Sequence, residues 1–309
     1  MTFFSVILSR NSYRILIFYL LIIQSCFCKS YDLKYDISHQ IDNRGAAYLR
    51  VSLTIDRTSL TNIIKENSFT LIFPNNWSSA KNLINNIRNI RSVNSEIKIK
   101  KGYLSDEKII YLSNSIKNIN ITYDVYPSEE LTLFKPIINK EIFHFIGHTV
   151  LAYPAFNNTT DPLSIIFNFS NLKDNISTVL SNGLGDSNLE QRLTLPLQKI
   201  LHTAYAGGKY EKILSNDDQD NLVLLTYGMT SENQVYLNEV LKKIITFQRK
   251  FWQDNDFPHY LVTSVSNNHI PLTFSGTYTA NAISLLVNEA SPFFREDLPF
   301  ILAHEHWHT

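Results

Sequence analysis

His304-Glu305-His306-Trp307-His308-Thr309 are the residues in this 309-residue sequence whose types and spacing carry chemistry. Side chains four apart on a helix project from one face, so His304 and His308 can share a metal ion. Glu305 sits one position round, where it can act as a general base on a metal-activated water instead of ligating. His306 offers a competing His304-x-His306 spacing, but residues two apart on a helix point about 200° apart, which leaves His304 with His308 as the chelating pair. A catalytic zinc takes three protein ligands plus water, and two imidazoles alone bind it weakly. His144, His148, His202, His259, His269, Glu289 and Glu296 are further donors, none in helical register with His304; His148 and His202 read as ordinary strand or loop histidines. The alternative for the same six residues is a His-rich helix end whose imidazoles merely pack or face water.

A helix must present the pair, and the sequence supplies its signals. Asp297 can cap it, Pro299 suits a first turn, and Phe300, Ile301 and Leu302 give an apolar underside. Upstream, Ser231 with Gln234 reads as a capping box. Tyr236, Val240, Ile244, Phe247 and Phe251 follow at helical spacing, seconded by Leu237, Leu241, Ile245 and Trp252. This predicts one long helix over 231–252 with a wide apolar face. A strand is expected at Tyr260 to Val265, then a polar stretch to Ser275-Gly276-Thr277-Tyr278.

The first half reads differently. Leu49, Val51, Leu53 and Ile55 alternate with polar residues, as do Ile119, Ile121, Tyr123 and Val125, the pattern of half-buried strands. Shorter apolar runs at Phe69 to Phe73, Ile109 to Leu112, Leu163 to Phe169 and Leu222 to Leu225 lie between Asn, Ser, Gly and Pro clusters, which predicts antiparallel pairing rather than βαβ units. The expected fold class is α+β, with an N-terminal antiparallel β-sandwich.

A 44% apolar, 18% charged composition excludes a disordered or collagen-like chain, and 28 basic against 28 acidic residues give no electrostatic capture of nucleic acid. Arg10 and Arg14 precede the apolar run Ile15 to Ile23, followed by the only cysteines, Cys26 and Cys28. These are the parts of a secretory signal over 1–28, too short to read as a membrane span. Cleavage after Cys28 leaves a chain without cysteine. An uncleaved anchor is one alternative, and lipidation at Cys26, in a lipobox-like Ile23-Gln24-Ser25-Cys26, is another. The expected location is periplasmic or extracellular.

The segment Pro299-Phe300-Ile301-Leu302-Ala303 leading into His304-Glu305-His306-Trp307-His308-Thr309 resembles the zinc helix of the glycyl aminopeptidase family of metallopeptidases, whose signature reads H-E-x-x-H-T-W-N. The β-rich first half, the stretch Ile146 to Pro154, and the long helix with its following strand fall where that family places them. After the signal over 1–28, the resemblance implies a β-sandwich-like domain over 29–190 and the first part of a thermolysin-like catalytic domain over 191–309. It implies Zn2+ held by His304 and His308, Glu305 as general base, and peptide substrates. Two departures stand out. The family's Gly-Gly-x-Glu-His-like segment upstream of the zinc helix is here Phe274-Ser275-Gly276-Thr277-Tyr278-Thr279, which leaves substrate-binding residues unassigned. The family's Trp-Asn, and the later helix with the third zinc ligand, a glutamate, are not within the 309 residues. The expectation is an incomplete zinc site with little or no peptidase activity as encoded. The competing class is a non-enzymatic, exported β-sandwich binding or scaffold protein with a vestigial HExxH.

Overall fold

The computed structural model describes residues 31–169, 179–186, 189–214, 221–253, 259–270 and 273–308. The expected signal, with Cys26 and Cys28, lies outside the described residues, as does Thr309. No helix among the described residues is long and apolar enough to cross a membrane.

The alternating runs form strands as their period requires. Ala47–Asp56 buries nearly every second side chain and pairs antiparallel with Leu33–Ile41 on one side and Asn118–Val125 on the other. Ile87–Ser92, Pro162–Phe169 and Glu190–Pro196 complete a six-stranded sheet. One pair departs from the antiparallel expectation: Leu33–Ile41 runs parallel to Pro162–Phe169, a long-range pairing that no hairpin constrains. A four-stranded sheet built on Ser68–Ile72 and Glu107–Tyr111 shares one core with it, including Tyr35, Val51, Phe73, Tyr123 and Phe167. The buried tyrosines place their hydroxyls on carbonyls, Tyr35 on Ala152 at 2.9 Å and Tyr123 on Val150 at 3.0 Å.

A third sheet is built around Ile142–Ile146 and Ala204–Gly208. With Glu190–Pro196 in the first sheet and Ala204–Gly208 here, the β-rich part runs past residue 190.

The last sheet has the order Glu211–Leu214, Leu222–Tyr227, Tyr260–Ser266, Ala282–Val287, Phe274–Thr279. Its middle three strands are parallel, and the helix Ser231–Trp252 crosses over between the first two. The run Leu222 to Leu225 is antiparallel to Glu211–Leu214 on one side, as expected, but on the other it opens a βαβ unit with Tyr260–Ser266, which corrects the expectation there; four consecutive apolar residues carry no period to distinguish the two. Leu222, Leu224, Val262, Ile283 and Leu285 pack against Leu237, Leu241 and Ile245 of this helix and Leu298 and Leu302 of a second one, Phe294–Trp307. On the other face Val223, Leu225, Leu261, Val265 and Leu286 pack against Ile142, Ile146, Ala204 and Ala206 of the third sheet.

Both helices differ from expectation in detail. The long helix spans Ser231–Trp252 but its cap is Thr230, whose N–H and hydroxyl donate to Glu289. The capping box does not form, because the Gln234 amide donates instead to the Met229 carbonyl and to Glu211. Phe247, Phe251 and Trp252 are exposed at 69%, 61% and 56%, so the apolar face ends earlier than its spacing predicts. Twenty-two residues of helix extend about 33 Å, against about 23 Å for a seven-residue strand, and the last turns overhang the sheet.

The second helix begins at Phe294, three residues before the expected cap at Asp297, which places Pro299 inside it. Proline has no N–H for the carbonyl four residues back. That carbonyl, Arg295 O, accepts instead from the Tyr236 hydroxyl at 2.7 Å, so the long helix repairs the gap in its neighbour.

Tyr236→Phe should therefore cost about 1 kcal/mol, read as a lower urea midpoint at unchanged slope; an unchanged midpoint would mean that water serves Arg295 equally well. Acid sensitivity follows from His144, which is fully buried, lies 2.8 Å from Ser284 Oγ across the third and last sheets, and is pushed down by burial from 6.5 to about 4. The unfolded chain takes up this proton first as pH falls, so His144 stabilises the fold fully above about 6.5 and loses that contribution between 6.5 and about 4. Thermal midpoints should drop through this window, and His144→Gln should shallow the drop in part, with His148 carrying a share of the remainder.

Candidate metal centre

The helix Phe294–Trp307 is held from two sides. Against the long helix, Tyr236 meets Arg295, the Gln248 amide donates to the Ala303 carbonyl at 3.0 Å, and the Trp252 and Trp307 rings lie 5.0 Å apart. These contacts ascend both helices in the same order, so the two run parallel. Against the edge strand Phe274–Thr279, Phe294 stacks on Phe274 at 5.3 Å.

This clamp fixes which histidines face out. His306 is 7% exposed, its Nδ1 on the Gln248 side-chain oxygen and its ring 5.3 Å from Tyr260. His304 and His308 are both exposed on the outer side, with their Nε2 atoms 3.2 Å apart and their rings perpendicular. Zinc–imidazole bonds of about 2.0–2.1 Å across that gap subtend about 100°, close to the tetrahedral angle. The pair fits two corners of a zinc site.

Glu305 is half-buried against the edge strand. A Cβ on Gly276 would stand 3.0 Å from both Cγ and Oε1 of Glu305, so the glycine leaves room for the carboxylate close to the strand. Sequence reasoning did not assign Gly276 a role, although a lone glycine within a strand does mark a close approach.

Among the described residues, no group of three or more His, Cys, Asp or Glu side chains is arranged to hold a metal. Three of the other donors considered have partners elsewhere. His144 pairs with Ser284, His259 Nε2 lies 2.9 Å from the Asn182 carbonyl, and Glu289 receives Thr230 and Asn233 at the start of the long helix. Glu296 is exposed in the first turn of the second helix, well away from His304 along its axis.

No family model and no curated protein matches the chain. Among solved structures, an aminopeptidase N family protein from Idiomarina loihiensis is similar with a TM-score of 0.71 at 15% identity, over 89% of this chain and 47% of that one. Legionella pneumophila aminopeptidase A in complex with aspartic acid gives a TM-score of 0.49 at 11% identity, over 92% and 35%. The first likeness shows a shared fold, and the chain spans about half the length of that protein.

If the outward pair is the metal seat, His304→Ala and His308→Ala should each lower zinc affinity about tenfold or more in competition with a chromophoric chelator. His269→Ala should leave it unchanged; an equal loss there would place the zinc elsewhere.

Proposed function

We propose that this chain carries the zinc-holding centre of an exported aminopeptidase of the glycyl aminopeptidase type. The observation that supports the reading is the His304–His308 pair with a 3.2 Å gap beside Glu305, on a fold shared with an aminopeptidase N family protein. His304 and His308 hold the ion, which when bound supplies Lewis acidity toward a peptide carbonyl and a water. Glu305, lying beside Gly276 of the edge strand, takes the water's proton and passes it to the leaving amine. The strand Phe274–Thr279 lies at the edge of its sheet, where its free backbone groups can align an extended peptide beside that carboxylate. A third donor is required for tight binding, and the resemblance assigns it to a glutamate on a later helix. With the pair alone, zinc loads weakly and turnover is slow. Residues 1–28 direct export, with either cleavage after Cys28 or lipidation at Cys26.

Hydrolysis of glycyl and alanyl arylamides with zinc in excess tests the reading. Glu305→Gln should lower turnover about 100-fold or more at unchanged zinc content, and His308→Ala should lose zinc and turnover together. Hydrolysis that survives chelation, or is indifferent to Glu305, contradicts it. Zinc uptake with no hydrolysis favours the binding or scaffold protein. Export is checked by N-terminal sequencing of the secreted protein, where an intact Met1 on cytosolic material would be the contrary result.

A further inference from the structure

Two imidazoles at a tetrahedral spacing leave two corners of a zinc shell to be filled, and among the described residues no third His, Cys, Asp or Glu of the same chain joins them. What stands around the pair is apolar instead. Phe300 lies four residues before His304 and Trp307 three after it, so these two share one stripe of the helix Phe294–Trp307 with the pair. Phe300 is 74% exposed and Trp307 59%, and both histidines face outward beside them. The rings continue onto the long helix, where Trp307 meets Trp252 at 5.0 Å and Trp252 meets Phe251 at 4.9 Å, both of these also exposed. Single exposed apolar side chains are ordinary, but a run of exposed rings in contact marks a surface that another surface covers.

Coordination and symmetry together say what fits. In a two-fold contact a patch meets its own copy, so a charged patch repels itself, whereas the stripe Phe300, His304, Trp307, His308 holds no carboxylate, ammonium or guanidinium. It can approach itself without like-charge cost. A tetrahedron has two-fold axes that exchange one pair of corners for the other, so a second His304–His308 pair, with the same 3.2 Å gap, matches the two corners that the first leaves. The pair is also arranged in advance, since His308 stacks on Tyr278 with centroids 6.0 Å apart and stands at 87° to the His304 ring.

We propose that a second copy of this chain completes the zinc shell, in a zinc-bridged homodimer where His304 and His308 of each copy ligate one shared ion and Phe300 and Trp307 pack around it. A shell of four protein ligands is closed and leaves no position for water or a peptide carbonyl. The dimer is therefore an inactive, zinc-holding form of the centre, and a single chain with its own ion is the form that keeps corners open beside Glu305. The proposal rests on the zinc seat of the reading above and adds regulation to it, because pairing of two copies and hydrolysis compete for the same two corners.

Sedimentation velocity of the unaltered chain, with zinc raised from a chelator baseline, tests this. The expected course is a monomer in chelator, a dimer that peaks near about half an equivalent of zinc per chain, and a decline as zinc passes one equivalent and each pair takes its own ion. At the peak, X-ray absorption should count four imidazole nitrogens on zinc. His308→Ala should stay monomeric throughout. Phe300→Lys, which sets like charges across the contact, should weaken the dimer about tenfold or more at unchanged circular dichroism, while its single chains still take up zinc. A zinc-loaded monomer at half an equivalent overturns the dimer and leaves the seat standing. A dimer that persists in chelator or in His308→Ala also overturns it, because the contact then does not run through the ion. Absence of zinc uptake sinks the seat and the dimer together. None of these readouts involves hydrolysis, so a zinc-bridged dimer without arylamide turnover at excess zinc counts against the peptidase reading alone.

Discussion

Three parallel strands that are apolar on both faces have to be covered twice, and the rest of the molecule follows from that requirement. In Leu222–Tyr227 and Ala282–Val287 successive side chains point to opposite covers: Leu222, Leu224, Ile283 and Leu285 to the helices, Val223, Leu225 and Leu286 to the third sheet. Each fully buried aliphatic side chain is worth about 1.5–3 kcal/mol, so neither cover can lift off cheaply. The same strands therefore hold the helix with the histidine pair on one side and the β-rich part on the other. The buried His144–Ser284 contact sits in this junction.

The chemistry inherits its geometry from that packing. Because Leu298 and Leu302 must face the sheet, and His306 turns inward to Gln248 and Tyr260, the helical period sends His304 and His308 outward together. The edge strand decides what lies beside them. Gly276 admits the Glu305 side chain, and Tyr278, two residues on, carries the contact from His308 to His202. Even the irregularity of a proline within the helix is absorbed by the neighbouring helix through Tyr236.

The periodic parts of this arrangement are legible in sequence, because period is a local property. The alternation in Ala47–Asp56 and Asn118–Val125, the extent of the helix 231–252 and the outward pairing of His304 with His308 all come from spacing within one element. What sequence does not show depends on a distant partner. Leu222 to Leu225 has no period, and its one parallel neighbour, Tyr260–Ser266, comes from over 30 residues away. The burial of Phe247 and Phe251 depends on where the sheet under them stops. The position of Pro299 within its helix leaves the Arg295 carbonyl without its helical partner, and the donor that meets it comes from a tyrosine on another helix. His148 and His202 look like isolated histidines until the fold brings Trp77 and Tyr278 to them.

X-ray absorption at the zinc edge tests the proposed seating of a zinc ion by His304 and His308 together. With one equivalent of zinc, two imidazole nitrogens at about 2.0–2.1 Å and oxygen donors completing the shell are expected, falling to one imidazole in His308→Ala. An imidazole count that is the same in His308→Ala as in the unaltered chain would contradict it.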